Sequence, residues 1–131
     1  MSIPVTECTK TILVVEDDGS LRNYLKFVLE KASYRVILAE DGEDGVRKFK
    51  EHGDISLVLT DVQMPRKNGK ELFDEMTVIR TGTKVIFMSG DTGNLIEWFA
   101  KERLAFISKP FNSMDILGKV QEVLDNHSED F

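Results

Sequence analysis

Cysteine is nearly absent from this chain: among 131 residues there is one, Cys8. A lone thiol ahead of the first apolar run has no partner within the chain. A disulfide framework is therefore excluded, a reducing, cytoplasmic compartment is expected, and Cys8 is given no chemistry. The two histidines, His52 and His127, are too far apart in sequence to read as a metal pair, and both are expected in solvent. Basic residues are the minority, 17 against 23 acidic for a formal charge of −6, which argues against a nucleic-acid surface. No apolar run approaches the roughly 20 residues of a membrane span. Met1 to Lys10 also lacks the charged start and apolar middle of a signal peptide, so no membrane contact is expected. Linkers and low-complexity tracts are missing too. The expectation is one domain over residues 11–125, with a lead-in at 1–10 and a frayed acidic tail at 126–131.

What is there is a rhythm. Ile12-Leu13-Val14-Val15 is a continuous, largely β-branched run that suits a strand covered on both faces, and it ends in Glu16, Asp17 and Asp18. Leu21, Tyr24, Leu25, Val28, Leu29 and Ala32 then recur at intervals of three and four, the stripe of a helix that Asp18 or Ser20 could cap. The alternation continues. Val36 to Leu38 reads as strand two, Val46 and Phe49 as the inward side of helix two, Ile55 to Thr60 as strand three, and Leu72, Phe73, Met76 and Ile79 as helix three. Val85 to Met88 is strand four, Leu95, Ile96, Trp98, Phe99 and Leu104 mark a fourth helix, Ala105 to Ile107 a fifth strand, and Ile116 to Leu124 a fifth helix. Trp98 and Phe99 read as core aromatics before they read as a partner-binding patch. Five strands alternating with five helices imply right-handed crossovers and a parallel sheet covered on both sides, an α/β doubly wound fold.

The chain is organised around Leu57-Val58-Leu59-Thr60-Asp61, an apolar run that ends in one carboxylate and is followed at once by a turn containing Pro65, Asn68 and Gly69. Asp61 is thereby predicted at the mouth of a buried strand, where α/β proteins carry their chemistry. In a sheet of order 2-1-3-4-5, an order taken from the flavodoxin-like architecture and not from the pattern, strands one and three are neighbours. Glu16, Asp17 and Asp61 would then crowd together, and their repulsion calls for a cation. Oxygen donors without thiolate or imidazole favour Mg²⁺. Ser89 at the end of strand four adds a hydroxyl and Lys109 at the end of strand five an ammonium. Together these are the parts for phosphoryl transfer to a carboxylate.

With Val14-Val15-Glu16-Asp17-Asp18, Asp61-Val62-Gln63-Met64-Pro65 through Gly69, Met88-Ser89-Gly90 and Lys109-Pro110-Phe111 in that order, the chain resembles the CheY-like receiver domain of two-component response regulators from about Thr11 to Leu124. The resemblance implies that Asp61 accepts a phosphoryl group from a phosphohistidine. It implies that Asp17 and Glu16, directly or through water, hold Mg²⁺ with Asp61 and the Gln63 carbonyl, and that Lys109 pairs with the acyl phosphate. It also implies a switch: Ser89 turns toward the phosphoryl oxygen and Phe106, where many relatives carry Tyr, rotates inward. Gln63 and Asp91 lie where side chains tune dephosphorylation, and Lys109-Pro110 is a candidate cis bond. The donor would be a histidine kinase or a histidine phosphotransfer protein. The output would pass through an unknown protein or a covalently linked domain, since Met88-Ser89-Gly90 and Lys109-Pro110-Phe111 also look like receivers fused to hybrid kinases. Such a domain catalyses only its own phosphorylation and dephosphorylation and is not an enzyme in the ordinary sense.

Two other classes compete. Ser89-Gly90-Asp91-Thr92-Gly93-Asn94 resembles the hydroxyl-rich loop with which flavodoxins hold FMN, but such a loop should follow strand one, and Asp91 would repel a phosphate. A receiver-shaped module that binds partners without phosphorylation is the other, against which stands the complete set Glu16, Asp17, Asp61, Ser89 and Lys109.

Overall fold

Five runs of consecutive apolar residues become five strands: β1 (Thr11–Val15), β2 (Arg35–Ala39), β3 (Ile55–Asp61), β4 (Lys84–Ser89) and β5 (Ala105–Ser108). A computed structural model describes residues 9–64, 67–90, 98, 99, 101 and 104–125 of the chain. All pairings are parallel and the order is β2-β1-β3-β4-β5. Four helices are described, α1 (Gly19–Lys31), α2 (Gly42–Glu51), α3 (Gly69–Ile79) and α4 (Ser113–Asp125), where the periodicity predicts five. The missing one falls on Leu95 to Leu104, most of which lies outside the described residues. Of that stretch Trp98, Phe99 and Lys101 have helical backbone.

The period-two alternation of the strands divides the core. Leu13, Val15, Val58, Val85 and Phe87 face α2 and α3, where they meet Val46, Phe49, Leu72 and Met76. Ile12, Val14, Leu57, Leu59, Ile86 and Met88 face α1 and α4, where they meet Leu25, Leu29, Ile116 and Val120. Strands covered on both faces need apolar side chains at consecutive positions, which is why these segments read as unbroken runs. On the first face Phe87 lies edge-on to Phe73 and Trp98 and tilted against Phe99. Phe99 is fully buried and Trp98 packs against this core. Tyr24 departs from the helix-one stripe: it is 40% exposed, at the stripe's edge, where a phenol can keep its hydroxyl in water.

The helix starts are capped by the residues that also bound the strand ends. Asp18 accepts from the N–H groups of Ser20 and Leu21 and is the cap of α1, while Ser20 lies inside the helix. Asn68 and Glu71 form a reciprocal capping box on α3. Asp17 is therefore adjacent to the cap of α1. The Lys109-Pro110 bond is cis. Among the described residues, no helix is long and apolar enough to cross a membrane.

Candidate functional site

The register brings the predicted polar residues to one edge of the sheet. Val15 lies opposite Thr60, Asp61 opposite Met88, and Ser89 opposite Ser108. The ladders run on just past the strands: Glu16 N–H donates to the Ala39 carbonyl at 3.1 Å, Val62 N–H to the Met88 carbonyl at 3.1 Å, and Lys109 N–H to the Ser89 carbonyl at 2.8 Å. The backbone at Glu16, Asp61, Ser89 and Lys109 is thus held by the sheet itself.

Gly69 sets the far side of this edge. Its N–H bonds the Val62 carbonyl at 2.8 Å, and a Cβ there would lie 2.5 Å from the Asp61 carbonyl oxygen and 3.0 Å from the Val62 Cα. Both obstacles are backbone, so neither can swing aside. Gly69→Ala is expected to destabilise the fold by ~1–3 kcal/mol and to slow any chemistry at Asp61; denaturant midpoints of the two proteins check the first effect.

Ligand oxygens of Glu16, Asp17 and Asp61 all lie within 4.8 Å of one another. Glu16 is 1% exposed and Asp61 7% exposed, while Asp17 faces solvent. Lys109 Nζ donates to Asp61 Oδ2 at 3.0 Å and stands 3.6 Å from Glu16 Oε1, an ion-pair distance too long for a hydrogen bond. Gln63 N–H donates to Asp61 Oδ1 at 3.2 Å, and Asp18 N–H to Glu16 Oε2 at 3.1 Å. Glu16 Oε1 is buried with no hydrogen-bond partner. Ser89 is buried at the neighbouring strand end. Phe106 lies one strand over, opposite Phe87, and stacks on Phe99 with centroids 4.5 Å apart and rings 9° from parallel.

Burial, with the Asp61 charge adding to it, pushes the Glu16 carboxyl up to about 7, against the lowering pull of the Asp18 N–H and Lys109. For Lys109 burial favours the neutral amine, yet the hydrogen bond and charge of Asp61 and the charge of Glu16 outweigh it and raise its pKa. The Glu16 shift sets a pH dependence. A carboxyl whose folded pKa lies above its unfolded value of 4.5 contributes stability that is fully present below pH 4.5 and lost as pH rises through 7. In metal-free buffer the wild type is expected to lose up to about 3 kcal/mol relative to Glu16→Gln between pH 4.5 and pH 8. Urea titrations of both proteins across that range measure the difference.

A buried acceptor without a hydrogen-bond partner, on one of three clustered carboxylates that offer only oxygen donors, fits a hard divalent cation. The geometry also contains one residue that sequence pattern did not single out, Arg22, whose Nη1 donates to the Glu16 carbonyl at 2.7 Å. Gly69, read from the sequence only as part of the turn after Asp61, gains from the structure its close approach to the end of β3. Asp91 and the loop that raises the FMN alternative lie outside the described residues, as do Cys8 and His127.

Residues 12–121 match the family model described as response regulator receiver domain. The response regulator receiver protein CpdR of Brucella abortus is 32% identical over 117 residues, which are 88% of this chain and 97% of that protein. The transcriptional regulatory protein CpxR of Escherichia coli is 33% identical over 117 residues, 86% of this chain but 48% of that protein. The chain thus spans nearly all of one relative and about half of the other. Among solved structures, a CheY-like receiver domain protein from Methanospirillum hungatei is 31% identical with a TM-score of 0.83, covering 92% of this chain and 98% of that one. The CheX-CheY-BeF₃-Mg²⁺ complex from Borrelia burgdorferi contains a chain 25% identical with a TM-score of 0.83, covering 92% and 94%. The chain belongs to the response regulator receiver domains, the phosphoacceptor switches of two-component signalling.

Proposed function

We propose that Asp61 is the phosphoacceptor of this switch. The observation that carries the reading is the contact of Asp61 Oδ2 with Lys109 Nζ at 3.0 Å, at a strand end where Glu16 and Asp17 oxygens lie within 4.8 Å. A carboxylate oxygen of Asp61 attacks the phosphorus of the donor. The O–P bond forms as the bond from phosphorus to the donor atom breaks, and that electron pair leaves with the donor. A phosphohistidine on a histidine kinase or phosphotransfer protein is the donor class the family implies.

Lys109 stays beside the new acyl phosphate as a fixed cation, and the Ser89 hydroxyl turns to a phosphoryl oxygen. Glu16, Asp17, Asp61 and the Gln63 carbonyl are the residues that would hold Mg²⁺, and one relative was captured with BeF₃ and Mg²⁺. When bound, the ion supplies charge neutralisation for the carboxylates and the transferred oxygens. The switch then runs outward: Phe106 would leave its stack on Phe99, altering the surface that β5 and α4 offer to a partner. The domain, residues 11–125, would work in the cytoplasm, on its own or joined to further chain.

Intact-protein mass after incubation with acetyl phosphate tests the reading. One phosphoryl adduct is expected in Mg²⁺ and none in EDTA; no adduct in either buffer would overturn it and leave a phosphorylation-independent module.

A further inference from the structure

Arg22 holds the turn that carries two of the three clustered carboxylates, and the bonds around it state how. β1 stops at Val15, so the Glu16 carbonyl lies one residue past the strand. Arg22, on the first turn of α1, reaches back six residues to donate to that carbonyl at 2.7 Å. Its own N–H bonds the Asp18 carbonyl at 2.8 Å, and Asp18 N–H bonds Glu16 Oε2 at 3.1 Å. Glu16 and Asp18 are thereby tied to α1 from both sides. Asp17 sits between them with its carboxylate in solvent, so its direction follows from the backbone that these bonds fix. Among the described residues Arg22 forms no ion pair, so its contact with the turn is to backbone, not to a carboxylate.

We infer that Arg22 is a positioning residue for Mg²⁺: it acts through the backbone of Glu16 to hold the Glu16 and Asp17 carboxylates in binding geometry. This rests on the metal reading given above. Groups that orient metal ligands typically change metal affinity by about 10–100-fold when lost.

Loss of Arg22 is expected to change Mg²⁺ affinity in the direction opposite to simple electrostatics. Removing a cation beside an anionic site should strengthen cation binding if charge were all that mattered. Loss of a positioning bond should weaken it.

Calorimetric titration of Mg²⁺ into wild type, Arg22→Met and Arg22→Lys separates the two. Met keeps the aliphatic stem and helix propensity while removing both donor and charge; Lys keeps the charge and one donating group. The expected result is an Arg22→Met dissociation constant raised about tenfold or more, with Arg22→Lys between it and the wild type. Urea midpoints taken alongside show whether each variant is folded, and a merely structural role would lower the midpoint without moving Mg²⁺ affinity. Unchanged or tighter binding by folded Arg22→Met overturns the inference while leaving the metal site standing. A wild type that takes up no Mg²⁺ overturns the metal reading, and the inference with it.

Discussion

Asp61→Asn is expected to abolish phosphoryl uptake altogether, while the protein remains folded. Asn is nearly isosteric, and its Oδ1 can still accept the Gln63 N–H that Asp61 Oδ1 accepts at 3.2 Å. Two things are lost. The amide has no anionic oxygen to attack phosphorus, and the partner of Lys109 at 3.0 Å becomes neutral, or becomes a donor facing a donor if Nδ2 occupies the Oδ2 position. Among the described residues no other carboxylate lies within hydrogen-bond distance of Lys109 Nζ, since Glu16 Oε1 stands 3.6 Å away. The check is phosphoryl incorporation per chain, which should fall from near one to zero. Any adduct on folded Asp61→Asn at the wild-type rate would remove Asp61 from the mechanism.

Lys109→Met carries the second large effect. The ammonium bridges Asp61 Oδ2 and Glu16 Oε1, and among the described residues it is the cation fixed beside the oxygens on which charge develops during transfer. Removing one such preorganised group typically costs about 10²–10³ in rate, and that loss is expected in the initial rate of acetyl phosphate uptake. Stability should move as well. Without the ammonium two buried carboxylates are left facing each other, which is expected to destabilise the metal-free fold by about 1–3 kcal/mol. Mg²⁺ should therefore raise the melting temperature of Lys109→Met more than that of the wild type. Equal rates in the two proteins would leave Lys109 a structural counter-ion only.

The edge of the sheet was legible because chemistry and pattern coincide there. An apolar strand cannot tolerate a carboxylate in its interior, so Glu16 and Asp61 mark strand ends in the sequence, and the register sets those ends side by side. The relation of Gly69 to Asp61 was not legible, because it depends on how closely α3 approaches the end of β3, and that distance has no local signature. Arg22 was hidden for a different reason. On a helix an arginine near the N-terminus reads as a surface cation, and only the three-dimensional return of its side chain to the Glu16 carbonyl distinguishes it. Tyr24 shows the opposite failure: it meets the helical spacing of a buried stripe, yet a residue at the stripe's edge remains 40% exposed. The strand order came from the architecture, since apolar runs alone do not say which strand lies beside which.

The side chain that takes the phosphoryl group can be identified directly. Borohydride reduction of the acetyl phosphate-treated protein converts an aspartyl phosphate into homoserine, and peptide mass mapping locates it. Homoserine is expected at position 61 alone, formed in Mg²⁺ and absent in EDTA. Homoserine at Asp17 or at any other aspartate in place of position 61 would contradict the assignment of Asp61.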